Sequence, residues 1–182
     1  QAPEGRRPAA ENSFRRGFLD GVPIGLGYFS VSIAFGILCA VNGMDIRATV
    51  LISMTNLTSA GQFAGLPLMT GGASLIEMAL TQLIINLRYC LMSFSLSQKF
   101  RREESGILKY IAAFGVTDEI FGVAVSEPGK LNPFYNYGMM TVAIPGWSLG
   151  TFFGVIMGNI LPANIVSALS VGLYGMFLAI II

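Results

Sequence analysis

Long apolar runs separated by short polar ones set what this chain can fold into. Six hydrophobic segments are legible: Phe18 to Val41, Ile46 to Thr70, Ala73 to Gln98, Ile107 to Val125, Phe134 to Met157 and Leu161 to Ile182. Each is roughly 20 residues long, the length an α-helix needs to cross about 30 Å of hydrocarbon. None alternates apolar and polar positions as a strand of a membrane barrel would. The expected fold is all-α, a polytopic membrane helix bundle of about six segments. Residues 1–13 read as a polar tail, with Pro3 and Pro8, and residues 14–182 as a single transmembrane domain. The tail does not read as a signal peptide, because no short apolar core with a small-residue cleavage site follows it. The chain starts without Met and stops inside an apolar run, Ala179-Ile180-Ile181-Ile182, so further residues are expected at both ends.

The segments are not uniform. Gly21, Pro23, Gly25 and Gly27 predict a kinked or unwound start to the first. The second carries Asn56-Leu57-Thr58-Ser59-Ala60-Gly61-Gln62 at its middle and then Pro67, and the fifth carries Pro145-Gly146. A proline removes one backbone hydrogen bond and clashes with the preceding turn. Such breaks persist in a membrane only where protein or water satisfies the freed groups. Two broken segments, each second in a run of three, point to a transporter built from two structural repeats.

Orientation poses a conflict. Lys99, Arg101, Arg102 and Lys109 mark a cytoplasmic loop, and Arg6, Arg7, Arg15 and Arg16 place the N-terminus on that same side. Both hold only if an even number of crossings separates them, yet three segments intervene. Either the second segment is a re-entrant hairpin, or the N-terminus lies outside despite its arginines.

Composition narrows the chemistry. Hydrophobic residues make up 53% of the chain and charged ones 12%, against about 25% charged in soluble domains. The net charge of +1 and the lack of a basic aromatic patch give no sign of nucleic-acid binding. There is no histidine, the commonest metal ligand and general base. Cys39 and Cys90 both sit in apolar segments and read as free thiols. No cofactor is expected.

The remaining charges are the informative ones. Arg88 lies 11 residues before Lys99, about 16 Å deep at 1.5 Å per residue. Asp118 lies nine residues after Lys109, and Glu119 follows it. A charge at that depth costs on the order of 2.5–3.5 kcal/mol, faces the bundle interior or an aqueous cavity, and usually pairs. Arg88 with Asp118 or Glu119 is the expected substrate and proton site, set against a buried pair that only fixes helix register. At 3.6 residues per turn, Glu77, Thr81, Arg88 and Ser95 share one side of their helix, with Gln82, Asn86, Tyr89, Ser93 and Ser97 roughly opposite. A helix polar on both sides belongs at the centre of the bundle. Gly146, Gly150, Gly154 and Gly158 form a four-residue ladder, the signature of a close helix–helix approach.

Three stretches in order carry a family resemblance: Ser59-Ala60-Gly61-Gln62-Phe63, Asn86-Leu87-Arg88-Tyr89, and Phe114-Gly115-Val116-Thr117-Asp118-Glu119-Ile120-Phe121. Together with Gly21-Val22-Pro23, and over about Phe14 to the end, they resemble the AzlC family of azaleucine-resistance or branched-chain amino-acid permeases. The resemblance implies a secondary exporter of branched-chain amino acids, with methionine a further candidate, in the bacterial cytoplasmic (inner) membrane. It also implies a small membrane subunit of the AzlD type as partner, and about one more helix than this chain has. Tyr89 stands where the family often has histidine, which leaves the coupling ion open, with a proton the expected one.

Such a site would meet one carboxylate, one ammonium and an apolar side chain. Arg88 or the helix N-termini of the broken second segment suit the carboxylate. Asp118 or Glu119 suits the ammonium or a proton, and Gln62 and Asn86 suit hydrogen bonds to the substrate's polar groups. One methylene is worth only about 1–3 kcal/mol, so broad specificity is expected. An intramembrane enzyme lacks its histidine, nucleophile elbow and zinc motif here. A passive channel or a purely structural membrane subunit would also fit the apolar segments, but a structural role leaves the midplane charges unexplained.

Overall fold

The computed structural model describes residues 13–100 and 106–160. They form seven helices: α1 Phe14–Val41, α2 Ile46–Thr55, α3 Ser59–Thr70, α4 Leu75–Lys99, α5 Gly106–Phe114, α6 Asp118–Ser126 and α7 Pro133–Ile160. Among the described residues there is no sheet, only an isolated parallel bridge between Phe100 and Leu131. Three helices are long and apolar enough to cross a membrane, α1 and α7 with 28 residues each and α4 with 25. The other four are half-length pieces. The sixth hydrophobic segment and Arg6, Arg7, Arg101 and Arg102 lie outside the described residues.

The breaks fall differently from the sequence expectation. The second segment is broken, into α2 and α3, but the other broken segment is the fourth, divided into α5 and α6. The fifth is one continuous helix with Pro145 inside it, and the first is continuous through Pro23. The physical reason is packing. A proline forfeits one hydrogen bond, whereas α1 and α7 are held by close contact along their lengths.

The chain divides into two compact units, one holding α1 up to Leu26 with Leu83–Ile144, the other Gly27–Gln82 with α7 from Pro145. In the first, Gly17, Gly21 and Gly25 of α1 lie against Tyr135, Met139 and Val142 of α7. In the second, Gly150, Gly154 and Gly158 of α7 lie against Phe29, Ile33 and Ile37 of α1. Residue numbers rise together in both, so the two helices run parallel. At Gly150 and Gly154 an added methyl would run into main-chain oxygens of α1, at Phe29 and Ile33, so only glycine permits the approach.

Each short pair is a hairpin that returns to the end it left. In the second unit, α2 starts beside the end of α1, where the Met44 amide donates to the Cys39 carbonyl at 3.0 Å. Its Asp45 cap takes the amides of Arg47 and Ala48. α3 then runs back parallel to α1, with Phe63 edge-on to Phe35 and Leu66 packed in one core with Cys39. It runs antiparallel to α4, with Gly61 beside Gln82 and Gly65 beside Met78. In the first unit, α5 starts and α6 ends near the last turn of α4. Lys109 shares a cavity wall with Ser97 and Phe100, and Lys99 Nζ donates to the Val125 carbonyl. The second segment thus turns back on itself within its unit, and the stretch from Arg16 to Lys99 holds two helices long and apolar enough to cross a membrane, α1 and α4.

The two hairpins repeat one design. Each break is three residues long, 56–58 and 115–117. Each ends on an extended threonine that caps the returning helix, Thr58 taking the Gly61 amide and Thr117 that of Ile120. The two threonines stand 59 positions apart, and the ends of α1 and α4 stand 58 apart. Gly154→Leu is expected to lower stability by about 1–3 kcal/mol through overpacking. The check is an earlier thermal midpoint in detergent, with Phe152→Leu on the exposed face as control.

Candidate functional site

α4 supplies a charge at its middle because it is uninterrupted there. The hairpin opposite supplies another because its break delivers the first residue of α6 to that depth. Gly115 begins the break, where an added Cβ would meet the Met140 side chain of α7, and Thr117 closes it. Asp118 and Glu119 then occupy the first turn of α6, where the positive end of the helix dipole favours carboxylates.

Arg88 Nη1 lies 2.8 Å from Asp118 Oδ2, with side-chain exposures of 44% and 45%. The guanidinium sits over the Tyr89 ring at 5.1 Å and donates to the Tyr89 hydroxyl at 3.4 Å. Arg88, Tyr89 and Asp118 are therefore together. Glu119 is exposed beside Asp118, and Asn86 is half-buried shortly before Arg88 on α4. The pair is open enough to exchange partners, since neither group is sealed in apolar packing.

Gln62 lies in the other unit and is 2% exposed. Its amide is fully engaged. Nε2 donates to the carbonyls of Ile52 and Asn56, while Oε1 accepts from Trp147 Nε1 at 2.9 Å and Ser53 at 3.5 Å. Ser53 also meets Thr151 at 2.8 Å. This network holds the tip of the first hairpin to α7. The same unit holds a cavity of about 560 Å³ between hairpin and α4, with Met69, Met78 and Leu75 as apolar walls and Asn56 and Gln82 as polar ones. Gln82 Nε2 donates to the Gly61 carbonyl at 2.8 Å. Of the glycine ladder, Gly150, Gly154 and Gly158 meet α1 as described, and Gly146 is half-buried beside Pro145.

Sequence reasoning does not single out Trp147, Ser53 or Thr151, nor the capping role of Thr58 and Thr117. The caps had a signal, a threonine three residues before a small or apolar position at the foot of an apolar run. The Trp147 contact had none, being 85 positions from Gln62.

The AzlC protein family model matches residues 23–161, most of the described chain. The chain belongs to the AzlC family. Among its relatives is an uncharacterized membrane protein of Archaeoglobus fulgidus, 30% identical over 93% of this chain and 74% of its own length. Another is the inner membrane protein YgaZ of Escherichia coli, 28% identical over 81% of this chain and 62% of its own length. The branched-chain amino acid transport protein AzlC of Bacillus subtilis is 23% identical over 84% of this chain and 60% of its own length. The chain thus spans between 60% and 74% of these relatives. No solved structure matches it. With its three apolar long helices, this AzlC-family chain is a membrane protein.

Gln62→Leu leaves the buried Trp147 N–H without its acceptor, an expected loss of about 1–3 kcal/mol. Adding Trp147→Phe should recover part of the loss in thermal melts, and full additivity of the two would deny the contact.

Proposed function

We propose that this AzlC-family protein exports branched-chain amino acids by exchange of partners at Arg88. The observation that carries the reading is the 2.8 Å Arg88–Asp118 contact at the middle of α4, in a family with a member named for branched-chain amino acid transport. The substrate carboxylate takes Arg88, as a planar bidentate partner, and its ammonium takes Asp118 in the carboxylate form. After release outside, Asp118 takes a proton from that side. Loss of that proton to the cytoplasm restores the Arg88–Asp118 pair. One proton thereby enters for each zwitterion that leaves, with Glu119 the carboxylate next to Asp118 on α6. Tyr89 keeps the guanidinium oriented through its ring and hydroxyl.

The assembly is an AzlC–AzlD type complex in the bacterial cytoplasmic membrane. A small membrane subunit would cover the half-exposed pair, since charges at that depth face protein or water rather than lipid. Arg15, Arg16, Lys99, Lys109 and Lys130 gather at one end of the first unit, and the positive-inside rule puts that end in the cytoplasm. An apolar pocket for the side chain would discriminate weakly among Leu, Ile, Val and Met.

The test is efflux of preloaded radiolabelled leucine from vesicles holding this chain with its small subunit, with a pH gradient imposed or collapsed. Wild type should show gradient-driven efflux, and Arg88→Ala and Asp118→Asn should each lose at least about tenfold, the scale of one transition-state contact. Wild-type rates from both variants at equal expression would reduce the pair to a structural tie. Efflux indifferent to the gradient would make the protein a passive channel.

A further inference from the structure

A second cluster of charges lies away from Arg88, at the basic end of the first unit. Arg16 Nη2 of α1 donates to Glu127 Oε1 at 2.6 Å, with side-chain exposures of 28% and 11%. Arg16 Nε lies 3.5 Å from Asp20 Oδ2, and the Tyr135 hydroxyl donates to that same oxygen at 2.6 Å. The guanidinium also stands 6.0 Å from the centroid of the Tyr135 ring, which is fully buried. One cation thus serves two carboxylates, and a phenol braces the second.

The placement gives the cluster its meaning. Glu127 is the C-cap of α6, the returning arm of the second hairpin. Arg16 and Asp20 sit on α1 and Tyr135 on α7, the two helices whose backbones touch at Gly17 and Gly138. Helices packed through glycines resist a slide, because it brings a backbone into a side chain. A hairpin arm held at its outer end by an ion pair has a second arrangement nearby, since the partly exposed charges can part and be hydrated. Beneath the pair, Ala124 and Ile120 of α6 are fully buried.

We propose that Arg16 and Glu127, braced by Asp20 and Tyr135, form the latch that closes the second hairpin at the basic end of the protein. Parting the pair leaves the outer end of the α6 arm on one polar tie, Lys99 to the Val125 carbonyl, and loosens the way toward Asp118 at the hairpin tip. The latch rests on the transport reading above, and its test is chosen to be independent of substrate.

Ala124→Cys is placed in a background with Cys39→Ala and Cys90→Ala, and its labelling by a membrane-impermeant maleimide is timed in inside-out vesicles. With Arg16 and Glu127 intact, labelling should be slow. E127Q should speed it at least about tenfold, a modest population shift, and the swap R16E/E127R should slow it again. An unchanged rate in E127Q overturns the latch, as does a swap that labels as fast as E127Q while melting like the parent. Ile120→Cys, one turn deeper, carries the same comparison if A124C does not fold. Leucine efflux measured alongside separates the two ideas: absent efflux in every variant counts against the transport reading, while the labelling rates alone decide the latch.

Discussion

A helix that ends inside hydrocarbon exposes backbone groups that lipid cannot satisfy, at several kcal/mol each. Both hairpins of this fold carry an answer to that constraint. Each hairpin turns within three residues, and its returning helix is capped by a buried threonine, Thr58 or Thr117, 7% and 2% exposed. At the first tip, the Asn56 side chain also takes the Thr58 amide at 3.3 Å, and the Gln62 amide group donates to the Asn56 carbonyl. At the second tip the α6 N-terminus receives two acidic residues instead. The first tip is closed by neutral amides, and the second is left carrying charge. That difference is what makes the second a candidate for chemistry.

Around the hairpins, the long helices divide into fixed and adjustable contacts. Glycines set α1 against α7 at backbone distance in both units, and the second unit adds Tyr28 edge-on to Trp147 at 5.5 Å. Polar side chains tie the hairpins to that frame: Ser53 and Gln62 for one, Glu127 and Lys99 for the other. Hydrogen bonds and ion pairs can exchange one partner for another, while backbone packing through glycine cannot.

Much of this is legible in the residues. The helical class follows from segment length, and the break in the second segment from Asn56 to Gln62. The Arg88–Asp118 pairing can be read because both are charges at like depth, counted from one basic loop. The fifth segment misleads because Pro145 is a loud local signal, and what overrides it, the packing of Gly150 and Gly154, depends on α1 partners at Phe29 and Ile33, more than 100 positions away in sequence. The fourth segment misleads in the opposite sense. Its break rests on Gly115 and Thr117, two quiet residues in an apolar run. Gln62 reads as a substrate ligand from its type alone, and only the fold reveals how many partners its amide already has.

In a membrane the hairpins would also govern parity. A segment that leaves and returns on one side adds length without changing which side follows, so only the long helices would count. Deleting or duplicating such a hairpin would leave every downstream residue facing the compartment it faced before. Deleting one long helix would invert everything after it. Each helix-plus-hairpin block would therefore act as a single sign change, whatever chemistry its capped tip carries.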